Sequence, residues 1–241
     1  MTTTTTYHFS SEPLIQSCPL PKSMITHKGR DHSSLTITAA KVEPLSALLK
    51  RNKKHLEYQV VEQLIESIGR QLRYLERENK GISGFNIDDI TVFYAAATPS
   101  TSSDAAASDN SDNSDDTDAS ETDDDSATQT AHFAITNDDK IHDINDKNNL
   151  VIMTPYPKEK TRAFHSPELT EFLSKKTLPY EIHFKSGYYS FGLLCLHCYV
   201  SRSATDATAD AALATIINTK IYWFLKQVLQ EDPTERRYIC V

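Results

Sequence analysis

Glycine is scarce in this chain, with 6 in 241 residues. No segment has the form G-x-G-x-x-G, which excludes the glycine-rich loops that wrap nucleotide phosphates. Cysteine is also scarce: Cys18, Cys195, Cys198 and Cys240 do not make the disulfide framework of a small secreted domain. Cys195-Leu196-His197-Cys198 has a metal-like spacing, but no second pair follows it, and inside an apolar run cysteine serves as a small hydrophobe. The longest apolar stretch, Phe191 to Val200, is far too short to span a bilayer. Met1 to Thr6 is a threonine run with neither a basic flank nor an apolar core, so no signal peptide is read there. These absences lead to the expectation of a soluble, intracellular protein without a membrane partner.

Positive charge is missing from one long stretch. Residues 98–130 contain no Lys or Arg, yet they hold Asp104, Asp109, Asp112, Asp115, Asp116, Asp118, Glu121, Asp123, Asp124 and Asp125. Without them the net charge of −8 becomes +2, with 25 basic residues against 23 acidic. The acidity therefore belongs to one segment, and the remainder gives no strong signal for nucleic acid. Apart from alanines the segment has no apolar side chains to offset the entropy of ordering, so it reads as a disordered insertion. Ser120 and Thr122 lie among its acidic residues and fit the site preference of acidophilic kinases, where each phosphate would add negative charge.

Elsewhere the chain is patterned. Residues 1–33 are rich in Thr, Ser and Pro with no period, and read as a flexible arm. Leu35, Ile37 and Ala39 alternate, predicting a strand over 34–40, and a short helix follows over 45–51. Val61, Leu64, Ile65, Ile68, Leu72 and Leu75 share one face of a helix over 56–79, after which Gly81 suits an end that needs positive φ. Strands are predicted over 89–95 and 132–136, with the acidic segment as an insertion at their hairpin tip. Residues 187–200 predict a buried helix, apolar nearly all round, and 211–230 a helix with Ile217, Ile221, Phe224, Leu225 and Val228 on one face.

Three short motifs sit on this frame in a telling order: Ser166-Pro167-Glu168, Tyr189-Ser190-Phe191-Gly192 and Asp232-Pro233-Thr234-Glu235-Arg236. Together with the helices between them they resemble the carboxy-terminal lobe of the protein-kinase fold. There an "A-P-E" glutamate pairs with the arginine of a late "D-P-x-x-R" turn, and a "W-S-x-G" opens a buried helix. The resemblance implies an α+β fold, mainly an α-helical kinase-like carboxy-terminal lobe, with a few short strands and a strongly reduced or absent amino-terminal lobe. It spans residues 34–241 with the insertion 98–130, and it implies that Glu168 and Arg236 form a structural pair.

The parts that perform phosphoryl transfer do not match. No V-A-I-K lysine is recognisable. Gly84-Phe85-Asn86 stands where the resemblance places "H-R-D", and the neutral amide of Asn86 cannot serve as a general base. Asp138, in Thr136-Asn137-Asp138-Asp139-Lys140, stands near the "D-F-G" position without its glycine. Gly187 stands where the family carries an aspartate that braces the catalytic loop, so that brace is expected to be lost. The first expectation is therefore a catalytically inactive, kinase-like (pseudokinase) module that binds or scaffolds a protein and needs no cofactor. A divergent ATP-dependent kinase using Asp88, Asp89 or Asp138 with Mg²⁺ is the alternative, with Asp139 a further weak metal candidate. A second alternative is an acidic-loop binder of basic proteins.

Overall fold

The computed structural model describes residues 5–9, 11–28, 34–53, 55–95, 130–158, 161–175, 177–200 and 209–238. At the amino-terminal end, β1 (Thr5–Phe9) and β2 (Ile25–Lys28) lie antiparallel on either side of β3 (Leu35–Ala39). Threonine is β-branched and fits such a half-buried pleated surface. Between the outer strands come α1 (Glu12–Gln16) and a 3₁₀ turn over Lys22–Met24. The flexible arm expected over residues 1–33 is thus corrected for 5–9 and 11–28. Phe9, Leu14, Ile15, Leu20 and Met24 are spaced too irregularly to show a period, yet each is buried in the same core.

β4 (Lys41–Pro44) leads into α2 (Leu45–Arg51) and the long α3 (Tyr58–Arg77). All six residues of the predicted stripe on α3 are buried. So is Gln71, whose Oε1 accepts the Ile135 N–H at 2.7 Å and whose Nε2 donates to Ser17 Oγ at 3.5 Å. A buried amide needs such partners, and these tie the amino-terminal segment to the centre of the molecule. Past α3 the left-handed residue is Asn79, with φ 52°, and not Gly81; asparagine tolerates that region because its side chain is short and polar.

Then follow β5 (Lys80–Ile82), β6 (Phe85–Asn86), a 3₁₀ turn over Ile87–Asp89, β7 (Ile90–Tyr94) and β8 (Ala131–Ile135). After these come β9 (Ile141–Asp143), β10 (Asn149–Ile152), β11 (Ala163–Phe164), α4 (Pro167–Lys175) and β12 (Tyr180–His183). β7 is the middle strand of an antiparallel sheet with order β4-β7-β8, while β5–β9, β6–β11 and β10–β12 form two-stranded ladders. The expected mixture of helices and short strands is present, but with twelve strands among the described residues where few were expected. All are two to five residues long, and most are too short to show alternation in the sequence.

α5 (Ser186–Tyr199) runs through the interior, buried on nearly every side. The helix expected over 211–230 is two helices, α6 (Ala209–Ala214) and α7 (Lys220–Val228). Thr219 starts the second by accepting the Tyr222 N–H on Oγ1 at 3.1 Å, an N-cap that outweighs continuing the first helix. Ile217 falls in the break and is exposed rather than sharing the buried face of Ile221, Phe224, Leu225 and Val228. A smaller second core of Leu150, Ile152, Leu169, Phe172 and Ile182 lies between the β10–β12 ladder and α4.

β7 and β8 run in register from Ile90↔Ile135 to Tyr94↔Ala131, and the Ala95 N–H donates to the Thr130 carbonyl. The chain thus leaves and rejoins the sheet at one point, and most of the insertion, with Ser120 and Thr122, lies outside the described residues. Replacing residues 96–129 by a four-residue turn is expected to leave the melting temperature within about 2 °C, because the closing strands already meet and closure entropy changes slowly with length. Thermal unfolding of the two forms, followed by circular dichroism, checks this.

Candidate functional site

The residues at the position of the absent catalytic motif are consumed by structure. Asn86 ends β6, where its backbone pairs with Ala163. Its side chain also starts the 3₁₀ turn: Oδ1 accepts the Asp88 N–H at 3.1 Å and a very short bond from Thr161 Oγ1, while Nδ2 donates to the Thr161 carbonyl at 3.4 Å. Asn86 is buried.

Asp89 completes the cap. Oδ2 accepts the Asn86 N–H at 2.6 Å and the Lys140 ammonium at 2.9 Å, and Oδ1 accepts Asn137 Nδ2 at 2.9 Å. The Lys140 and Asp89 side chains are only 4% and 8% exposed, and the ammonium also lies 5.6 Å from the Tyr156 ring centroid. Asp89 was a candidate metal ligand, and the geometry corrects this: a cation carried by the chain itself already holds the carboxylate. Asp138 and Asp139 are exposed in a turn shaped by Asn137 Oδ1, which accepts the Asp139 N–H at 3.1 Å. They do not join Asp89. Asp88 Oδ1 is buried without a hydrogen-bond partner among the described residues. No group of three or more His, Cys, Asp or Glu that could hold a metal occurs among the described residues.

Cys195 and Cys198 are fully buried in α5, and burial pushes both thiols far up, as for small hydrophobes in a core. Clefts of about 200 Å³ and 520 Å³ exist, but they are lined by Phe164, His165 and Leu196 and by Leu20, Arg70 and His132, and neither is lined by Asn86, Asp89 or Lys140.

The brace between the loop before β6 and α5 is present in altered chemistry, a correction to the expectation drawn from Gly187. A Cβ on Gly187 would lie 2.4 Å from the Ile82 carbonyl oxygen, so only glycine lets α5 approach that backbone so closely. Next to it, Ser186 Oγ donates to the Ser83 carbonyl at 3.0 Å and accepts from Ser166 Oγ at 2.5 Å. Ser166 Oγ in turn accepts the Leu169 N–H at 3.2 Å and caps α4. All three serines are fully buried. Two hydroxyls in a chain, those of Ser166 and Ser186, thus satisfy a loop carbonyl and a helix end without any charge. The link from Ser166 to Ser186 was not legible, because nothing in the sequence relates residues 20 apart across two elements.

Glu168 and Arg236 meet across 68 residues. Arg236 Nη1 and Nη2 donate to Glu168 Oε1 and Oε2 at 2.5 and 3.1 Å, a bidentate fork. Arg236 is 0% exposed and its other donors go to carbonyls: Nε to Gln230 at 2.7 Å, Nη2 to Glu231 at 2.8 Å and Nη1 to Lys185 at 3.4 Å. The Tyr189 ring centroid lies 4.8 Å from the guanidinium carbon. Glu168 keeps 21% of its side chain in solvent, so only the arginine is wholly interior. The pair joins the start of α4, the entry to α5 and the turn after α7.

No protein-family profile and no curated protein matches the chain. The solved structures to which it is similar are protein kinase domains. They include that of Mycobacterium tuberculosis PknI, as a double mutant, at 13% identity and TM-score 0.44, over 93% of this chain and 71% of that one. Another is the kinase domain PF14_0431, at 11% identity and TM-score 0.41, over 94% and 78%. Scores this low carry no argument about chemistry or partners; the Glu168–Arg236 pair and the order of elements stand apart from them.

Glu168→Gln and Arg236→Met are each expected to cost about 2–4 kcal/mol, Arg236→Met the more because it also strands three carbonyls. In a double-mutant cycle read by urea unfolding, the double variant is expected to cost less than the sum by about 1–2 kcal/mol. Additive effects would mean that the two side chains do not interact.

A pH dependence also follows. Burial holds the His142 ring below the ordinary imidazole range, with Asp143 opposing weakly, and His142 Nε2 lies 3.2 Å from Ser83 Oγ. His132 and His183 shift the same way, each chiefly by burial. The folded state thus favours neutral rings, whereas the unfolded chain takes up protons near pH 6.5. Stability is expected to be full above about pH 6.5 and to fall as the pH drops through the lower folded values. Urea midpoints at pH 7.5 and 5.0 check this, and His142→Gln should narrow the difference.

Proposed function

We propose that this chain is a non-catalytic, kinase-like domain that works by binding another protein. One observation carries the reading: Lys140 occupies the Asp89 carboxylate in the interior. The group that could have met a metal ion is neutralised by a covalently supplied cation, and Asn86 beside it has no useful proton affinity. Without a glycine-rich loop or a recognisable phosphate-binding lysine, the parts that phosphoryl transfer demands are not assembled. What is retained is the scaffold: the Glu168–Arg236 fork, the serine chain and the buried α5. No helix among the described residues is long and apolar enough to cross a membrane.

A divergent ATP-dependent kinase is the second reading, and Asp88 Oδ1 is the observation in its favour, since a buried carboxylate oxygen without a partner could take a cation. Binding of basic proteins by the acidic insertion 98–130 is an additional proposal; a pull-down on histone-like proteins with and without residues 96–129 tests it. The main test is catalytic. Purified protein with labelled ATP, Mg²⁺ or Mn²⁺ and generic substrates is expected to give no transfer above that of a variant carrying Asp88→Asn and Asp138→Asn. Transfer that disappears in that variant would overturn the non-catalytic reading.

A further inference from the structure

α7 is two-faced. Ile221, Phe224, Leu225 and Val228 are buried, while Lys220, Trp223 and Lys226, three residues apart, lie on the outward side. Trp223, the chain's single tryptophan, is 60% exposed, and Ile217 in the turn before α7 is 52% exposed. Along the helix this large exposed aromatic is flanked by two lysines, and tryptophan is the residue type most often found as an interface anchor. The Tyr222 ring meets Trp223 edge to face at 5.3 Å, and Lys226 Nζ sits 5.8 Å from both ring centroids. The aromatic pair and the ammonium thus support one another in a fixed arrangement. Lys220 is 71% exposed and reaches Glu62 only at 3.9 Å. Arg237, also exposed, is tied to the end of α7 by its N–H to the Gln227 carbonyl.

From this arrangement we infer that the outer face of α7 is a docking site for an acidic peptide segment of a partner protein, with an apolar side chain laid on Trp223 and carboxylates on Lys220 and Lys226. The inference rests on the protein-binding reading above and gives it a location. Charge decides between occupants. A second copy related by a two-fold axis would set Lys220 and Lys226 against their own equivalents. A membrane surface or a nucleic acid is an extended polyanion that needs many cations, whereas this face offers two or three on a chain of net charge −8. A short peptide needs only the local match of one apolar anchor and two or three carboxylates.

Because Trp223 is the one tryptophan, its emission reports on this face directly. The probe is a fluorescein-labelled peptide of about twelve residues containing Glu, Leu and Phe, with a control in which every Glu is Gln. The acidic peptide is expected to shift Trp223 emission to the blue saturably and to gain anisotropy, with affinity falling as salt rises. Trp223→Ala, and separately Lys220→Glu with Lys226→Glu, are each expected to weaken anisotropy-measured binding by about tenfold or more while leaving the melting curve unchanged. The inference is overturned by the lack of a saturable shift, by equal binding of the Gln peptide, or by binding that survives both variants. A stronger response to anionic phospholipid vesicles or to an oligothymidylate than to the acidic peptide would overturn the choice of occupant. None of these outcomes bears on phosphoryl transfer, so this site can fail while the non-catalytic reading stands.

Discussion

A helix that is apolar on all sides must be covered on all sides, and α5 imposes that requirement on everything around it. Phe191, Leu194, Cys195 and Cys198 leave no polar stripe to face water. α3, α7, β6 and β11 are the elements that enclose it, and its two ends carry the polar contacts that set its position. At the amino end, Ser186 and Gly187 fix it against the backbone of residues 82–83. A carbon atom added at Gly187 would drive the helix off that backbone and disturb each layer resting on it. The burial of Arg236 follows from the same constraint, since the guanidinium lies beside Tyr189 on α5 and bonds the Lys185 carbonyl just before it.

Two charges in the interior are paired: Lys140 neutralises Asp89, and Glu168 neutralises Arg236. Two buried ion pairs add little net stability, because desolvation opposes their attraction, but they penalise any alternative packing that separates them. They therefore select this arrangement of loops from others that would bury similar apolar area.

Long periodic elements were legible in the sequence, and short or cross-linked ones were not. α3 has six stripe residues over four turns, and its buried face matches the one predicted. β7 and β8 have clear apolar runs bracketing a long acidic segment. Glu168 and Arg236 could be paired in advance because two motifs marked them. By contrast, β1, α1 and β2 contribute one or two core residues each, so no window reveals them. Lys140 was visible, but a lysine after two aspartates in a polar run looks like a solvated turn until Asp89 is brought 51 residues back to meet it. The break at residues 215–219 was hidden because Ile217 fits a helical period that the Thr219 cap interrupts.

The closing contacts are also distant along the chain. The Tyr238 hydroxyl donates to the Ile65 carbonyl at 2.5 Å across 173 residues, and its ring fills the notch left by Gly69 on α3. On a ribosome, α3 emerges long before residues 236–238 do. Until they arrive, the groove at Gly69 is open, Phe191 and Phe224 lack the ring that lies against them, and Glu168 has no counter-charge. The nascent chain must wait in a partly covered state, and folding of the domain can finish only once residues 236–238 have been made. A translation product that stops before Arg236 would show an apolar notch and a lone carboxylate together, and would be distinguishable from the finished domain by surface chemistry alone.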